Sequence, residues 1–104
     1  MLKITTPETA PRVPFQVDGR IMLSRPKLEI IHLTLKPAEV VPKHINDFDV
    51  AIYVLEGTGK IETGFDSGDV KPGMLIEIEA GEERGMANTG RADFRVLVIK
   101  LPGG

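Results

Sequence analysis

Short runs of alternating apolar and polar residues, separated every 8 to 12 residues or so by glycine, proline and other turn formers, leave this chain little choice of architecture. The clearest instance is Gly73 to Asn88, GMLIEIEAGEERGMAN, where two such runs flank Ala80-Gly81. No segment sustains a 3.6-residue apolar period, so helix beyond a single turn is not expected. The runs suit half-buried strands, and about nine or ten of them predict an all-β sandwich or barrel of short antiparallel strands.

Taken in order, residues 5 to 14, TTPETAPRVP, carry three prolines that forbid regular helix, which makes residues 1–14 an extended arm. Leu2 to Ile4 within it is a candidate short edge strand. Phe15 to Leu23 reads as two strands turning at Asp18-Gly19, a dipeptide that tolerates positive φ, and Arg25-Pro26 then breaks the chain. In Lys27 to Lys36, Ile31, Leu33 and Leu35 alternate with His32 and Thr34, which predicts a strand. Pro37 to Lys43 reads as a connection leading to His44. Val50 to Leu55 is apolar on both parities, as a strand covered on both faces should be. Gly57 and Gly59 bracket a turn from which Gly59 to Thr63 is expected to return as its partner strand. The clusters at Phe65 to Gly68 and Lys71 to Gly73 read as turns. Strands at Met74 to Glu79, around Arg84 to Ala87, and at Asp93 to Leu101 complete the set.

At 104 residues the chain is expected to form one domain, residues 1–104, with one core that buries roughly 65% of the unfolded surface. Lys and Arg total 13 against 15 Asp and Glu, so no basic stripe exists to follow a phosphate backbone and nucleic acid is not an expected partner. Cysteine is absent, which excludes disulfides, thiolate metal sites and thiol nucleophiles. Acidic and proline residues occupy the N-terminal stretch where a secretory signal needs an apolar core, and no apolar run approaches the ~18 residues of a membrane span. A cytoplasmic protein without membrane contact is the expectation.

The spacing of the glycines and polar residues resembles that of small single-domain cupins, β-barrels of jelly-roll type. The family's second motif, G-x5-P-x-G-x2-H-x3-N, keeps every interval in Gly73-x5-Glu79-x-Gly81-x2-Arg84-x3-Asn88 (residues 73–88), with Glu79 replacing proline and Arg84 replacing histidine. The first, G-x5-H-x-H-x3,4-E-x6-G, keeps its intervals in Ala38-x5-His44-x-Asn46-x3-Val50-x6-Gly57 (residues 38–57), where His44 and Gly57 retain the family residues. YVLEGTG at 53 to 59 also resembles the family's usual turn. The resemblance covers about residues 28 to 101 and implies a cupin-type jelly roll. Small cupins resemble one another in pairing as homodimers, so a homodimer through sheet edges and the N-terminal segment is expected here.

The resemblance also implies which residues stand at the family's metal-binding positions, namely His44, Asn46, Val50 and Arg84. Val50 has no lone pair, and Arg84 is a permanently protonated group without an acceptor. A fixed positive charge ~4 Å from a metal costs about 4 kcal/mol per unit charge at an effective dielectric of about 20. No cofactor is therefore expected, and His44 is the single family ligand left to any metal. Asp49 could substitute only if a bulge turned it inward.

Instead, Arg84 facing His44 and Asn46 offers a planar fork of donors suited to a carboxylate or phosphate. By motif parity Val50, Ile52, Met74, Ile76, Met86 and Phe94 are expected to line the apolar wall, a mixture typical of a site for a small polar or anionic ligand. Two plainer readings stand beside this one. Arg84 would be neutralised by Glu79, Glu82 or Glu83, and His44 would be a rim histidine with one hydrogen bond.

Three functions follow from these residues. One is a metal-independent binding protein. Another is an isomerase- or epimerase-like enzyme with His44 as catalytic base and Arg84 as anion stabiliser. The third is a metal-dependent enzyme using substituted ligands. The interior lacks an evident second acid or base, since Tyr53 has the wrong parity and Glu77 and Glu79 alternate away from Ile76 and Ile78, which favours binding over catalysis.

Overall fold

The computed structural model describes residues 1–102. Nine strands, β1 (Asp18–Arg25), β2 (Leu28–Leu35), β3 (Val40–Ile45), β4 (Asp49–Glu56), β5 (Gly59–Thr63), β6 (Ser67–Val70), β7 (Leu75–Ile78), β8 (Glu83–Asn88) and β9 (Phe94–Leu101), form two antiparallel sheets. The larger has the order β1-β2-β9-β4-β7 and the smaller β3-β8-β5-β6. Apart from the β1–β2 and β5–β6 hairpins, each strand is followed by one that is not its neighbour, so the chain passes back and forth between the sheets. No described segment is helical, and the arm makes a single turn at Thr6 to Ala10 through a backbone bond from Ala10 N to Thr6 O.

Because side chains alternate along each strand, the register sorts the interior into rows. Across the larger sheet these rows are Glu29–Lys100–Val50–Ile78, Ile31–Val98–Ile52–Ile76, Leu33–Val96–Val54 and Leu35–Phe94. Facing them are His44–Arg84–Thr63, Val41–Met86–Ile61 and Asn88–Gly59. Charge collects at one end and hydrocarbon at the other. The hydrocarbon end is filled, since Phe94, Leu35, Ile52, Val54 and Val96 are fully buried. Asn88 seals that end by donating to the Leu35 and Ala92 carbonyls at 2.8 Å and accepting from Gly90 N at 2.8 Å.

Backbone conformation supports the motif alignment independently. The residues with positive φ are Ala38 (72°), Gly57 (78°), Gly73 (92°) and Gly81 (86°), which are the glycine positions of the two motifs. Ala38 thus holds a left-handed conformation in which its Cβ is crowded, a strain that glycine would not feel.

Several local expectations are corrected. Residues 15–23 do not form two strands, because Asp18 and Gly19 lie inside β1, where the Asp18 carboxylate accepts from Arg20 Nε at 2.8 Å. The hairpin turn falls instead at Pro26-Lys27, between the paired Arg25 and Leu28. The connection at 37–43 contains the start of β3, an edge strand that tolerates Pro42 because its ladder bonds lie on one side only. β5 does not pair with β4, because the left-handed Gly57 turns the chain into the opposite sheet. Leu2 to Ile4 forms no strand and lies exposed. β6, SGDV, lies partly in the expected turn at 65–68; as an edge strand it buries only Val70 and so shows no apolar alternation.

Two expected outcomes test this packing. A Cβ on Gly59 would lie 2.5 Å from Phe94 Cε2 and 2.7 Å from the Ala87 carbonyl, whereas one on Gly68 meets nothing within 4 Å. Urea unfolding of Gly59→Ala should show a loss of roughly 2–3 kcal/mol by overpacking, and Gly68→Ala a change within about 0.5 kcal/mol. The second concerns His32, on the outer face between Arg20 and Leu97, 6% exposed and with Nδ1 unpartnered. Burial, then repulsion from Arg95, holds its pKa below the ordinary 6.5, partly opposed by Asp18. The folded state therefore disfavours the charged ring. His32 contributes full stability above about pH 6.5 and loses it as the pH falls below that value. The urea midpoint should drop with acidification in this range, and less steeply in His32→Gln.

Candidate functional site

The charged end of the barrel takes its geometry from an irregularity in β3. Val41 pairs with Met86 and His44 with Arg84, so three steps on β3 match two on β8, with Pro42 and Lys43 in the bulge. Without that extra residue Lys43 would stand opposite Arg84. With it, His44 does, and Asn46 follows two residues later on the same face.

Asn46 organises the group. With its amide oriented to suit its neighbours, Oδ1 accepts from Arg84 Nε at 3.0 Å and Nη2 at 2.7 Å, and faces His44 Nε2 at 3.3 Å. The Asn46 carbonyl also accepts from Gly81 N at 2.8 Å, which ties the β3–β4 connection to the Ala80-Gly81 turn. His44 Nδ1 lies 3.1 Å from the Pro42 carbonyl and Nε2 3.3 Å from Asn46 Oδ1, so in a neutral ring one nitrogen donates to its oxygen and the other keeps its lone pair.

Arg84 is 7% exposed, and among the described residues no carboxylate lies within ion-pair distance of it. Burial alone pushes its pKa down. Glu79, Glu82 and Glu83 make no ion pair with it, so the rim neutralisation considered from sequence is not formed. The neighbouring cations differ, since Lys43 Nζ lies 3.8 Å from Glu62 and Lys100 Nζ 3.4 Å from Glu29.

Beside Arg84 lies a cavity of about 330 Å³ between the two sheets. Ile31, Leu33, Val41, Met86 and Val98 supply its apolar wall, His44, Arg84, Lys43 and Lys100 its polar lining, and Val13 of the arm with Phe15 and Gln16 just after it a further side.

The structure thus brings His44, Asn46, Arg84 and Met86 together, three of them against the cavity and Asn46 through its bonds to the guanidinium. The other expected wall residues sit elsewhere. Val50 and Ile52 are core, Phe94 fills the opposite end, Ile76 packs against the core from its edge, and Met74 is 39% exposed in the turn before β7. Their parity is inward, but inward includes the packed end of the barrel as well as the open one. Sequence reasoning missed Ile31 and Leu33 as cavity wall although their alternation was visible. It also missed the arm, for which no periodic signal exists.

The family's metal positions can now be judged as a donor set. Val50 is a buried isopropyl group, Arg84 a buried cation, and Asn46 Oδ1 is already engaged by that cation. Asp49 points away and accepts from Ala80 N at 2.9 Å. These residues do not suit a divalent metal.

A family model described as the cupin domain matches residues 31–100. No curated protein sequence matches. Solved structures do. A polyketide cyclase, RemF, from Streptomyces resistomycificus superposes with a TM-score of 0.83 at 20% identity over 97% of this chain and 80% of that one. A predicted oxalate decarboxylase from Thermotoga maritima gives 0.76 at 24% over 82% and 79%. An uncharacterized conserved protein with a double-stranded β-helix domain from Klebsiella pneumoniae gives 0.84 at 15% over 100% and 93%. At these identities the likeness shows the fold.

The buried guanidinium sets an expected stability effect. Arg84→Met removes an unneutralised charge from low dielectric and fills the space with hydrocarbon, so urea unfolding should show a gain of roughly 1–2 kcal/mol.

Proposed function

Because the chain belongs to the cupin family, with residues 31–100 matching its model, we propose that it uses the open end of the barrel, as a cupin-fold small-molecule-binding protein, for a small polar or anionic ligand and not for a metal. The carrying observation is Arg84, buried beside an apolar cavity without a carboxylate partner among the described residues. A buried charge without a counter-ion is costly, and an anion in the cavity would remove that cost. Apolar walls with a few convergent polar groups are the usual composition of small-molecule sites. Two fold neighbours, the polyketide cyclase and the predicted oxalate decarboxylase, are named for small organic molecules, which accords with this reading.

Binding is favoured over catalysis because no Asp, Glu or Tyr side chain lines the cavity beside His44, so a second acid or base for proton shuttling is missing from its described lining. Self-association as a homodimer belongs to the same reading. Tyr53, Leu55 and Leu75 are exposed on the outer face of the larger sheet, and Leu2 and Ile4 are exposed in the arm. A second copy would cover them.

Thermal unfolding and elemental analysis of the purified protein test the main claim. Acetate or benzoate should raise the Tm, by an amount equivalent to about 2.7 kcal/mol at one hundred times Kd, while Mn²⁺ and Zn²⁺ leave it unchanged. Stoichiometric Fe, Mn, Zn or Ni in the protein, with no response to any anion, would overturn it.

A further inference from the structure

Deepening the proposed anion-binding function, and resting on it, we propose that the cavity takes one chemical class, a monocarboxylate with a compact apolar body, whose carboxylate sits on the Arg84 guanidinium and whose body lies against Ile31, Leu33, Val41, Met86 and Val98.

The charge count at the cavity selects a monoanion. Three permanent or usual cations line it, but Lys43 faces Glu62 and Lys100 faces Glu29, which leaves Arg84 as the cation without a carboxylate partner among the described residues. One negative charge balances that end. A second would stand in a half-buried, apolar space without a partner, which disfavours dicarboxylates and phosphate dianions.

Donor geometry selects a carboxylate among monoanions. A guanidinium has five N–H donors. Asn46 Oδ1 takes Nε–H and one Nη2–H, and so occupies the Nε–Nη2 edge. Of the three that remain, the other Nη2–H and the Nη1–H parallel to it form the second edge, a pair that matches the two oxygens of a carboxylate. Asn46 accordingly acts as a positioning residue, holding the fork so that this second edge is the one left over. Asn46 in turn is held by its carbonyl on Gly81 N.

The remaining lining selects the body. Beyond the charged groups the wall is aliphatic on both sheets, with Phe15, between the arm and β1, as a further apolar side. At about 330 Å³ the cavity is at the small end of the ~300–1,000 Å³ of ligand sites, so the body is a single ring or a short branched chain.

Isothermal titration of the full chain with benzoate, hexanoate, benzamide, phthalate and inorganic phosphate tests the class. Benzoate and hexanoate should bind. Benzamide, equal in shape and uncharged, should bind ~10- to 100-fold more weakly, the usual worth of a charge-assisted pair, and phthalate and phosphate at least as weakly. Arg84→Gln should abolish the preference of benzoate over benzamide. Asn46→Ala should reduce benzoate affinity while leaving benzamide unchanged, an outcome that a merely structural role would not produce. Equal binding of benzamide and benzoate, or tighter binding of phosphate, overturns the monocarboxylate class while an organic or anionic ligand site survives. Silence from all five compounds overturns both readings. The wild-type benzoate-to-benzamide ratio decides the matter even if a variant fails to fold.

Discussion

The interior of this barrel is packed to contact at one end, and every other feature of the molecule follows from that asymmetry. Phe94 presses on the bare backbone of Gly59, Leu35 lies beside it, and Asn88 closes the surrounding carbonyls with its amide. With no side chain at residue 59, the two sheets approach closely there. Further along, the facing rows end in Glu29 and Lys100 on one sheet and His44 and Arg84 on the other, polar side chains that cannot close the space as hydrocarbon does. The cavity is the space left where packing by hydrocarbon stops and solvation of charge begins.

Within that space the burial of Arg84 opposes stability. Its guanidinium is almost fully buried, its pKa is depressed by burial alone, and its described polar partner is a neutral amide. A core selected for stability alone would place methionine or leucine there, as the row immediately inside does with Met86 and Val41.

Much of the fold was legible because two periodicities are local. Alternation marked β2 and apolar runs marked β4, β7 and β9 at nearly their observed limits, although β4 is covered on one face only, with Tyr53 and Leu55 exposed on the other. The glycine intervals marked the corners, where Gly57, Gly73 and Gly81 all adopt positive φ. The failures are equally physical. β6 is an exposed edge with one buried residue, so no alternation betrays it, and Asp18-Gly19 has turn chemistry that a side-chain bond to Arg20 and pairing with β2 override. The site was half legible. Parity identified the inward face of each strand but not the depth along the barrel, which is why Met86 falls at the cavity while Phe94 and Ile52 lie in the packed region.

The amino-acid order by itself determined most of the strand content, the inward parity and the corner positions, since each depends on residues within a few positions of one another. The tertiary structure alone decided that β5 leaves its predecessor for the opposite sheet, that the Pro42-Lys43 bulge puts His44 across from Arg84, and that the segment before β1 lends Val13, Phe15 and Gln16 to the cavity. It also decided that Glu62 and Glu29 engage the two lysines and leave the arginine without a carboxylate partner among the described residues. These are matters of which distant groups reach one another first. Coulomb attraction and close packing settle them across space, where sequence separation carries no information.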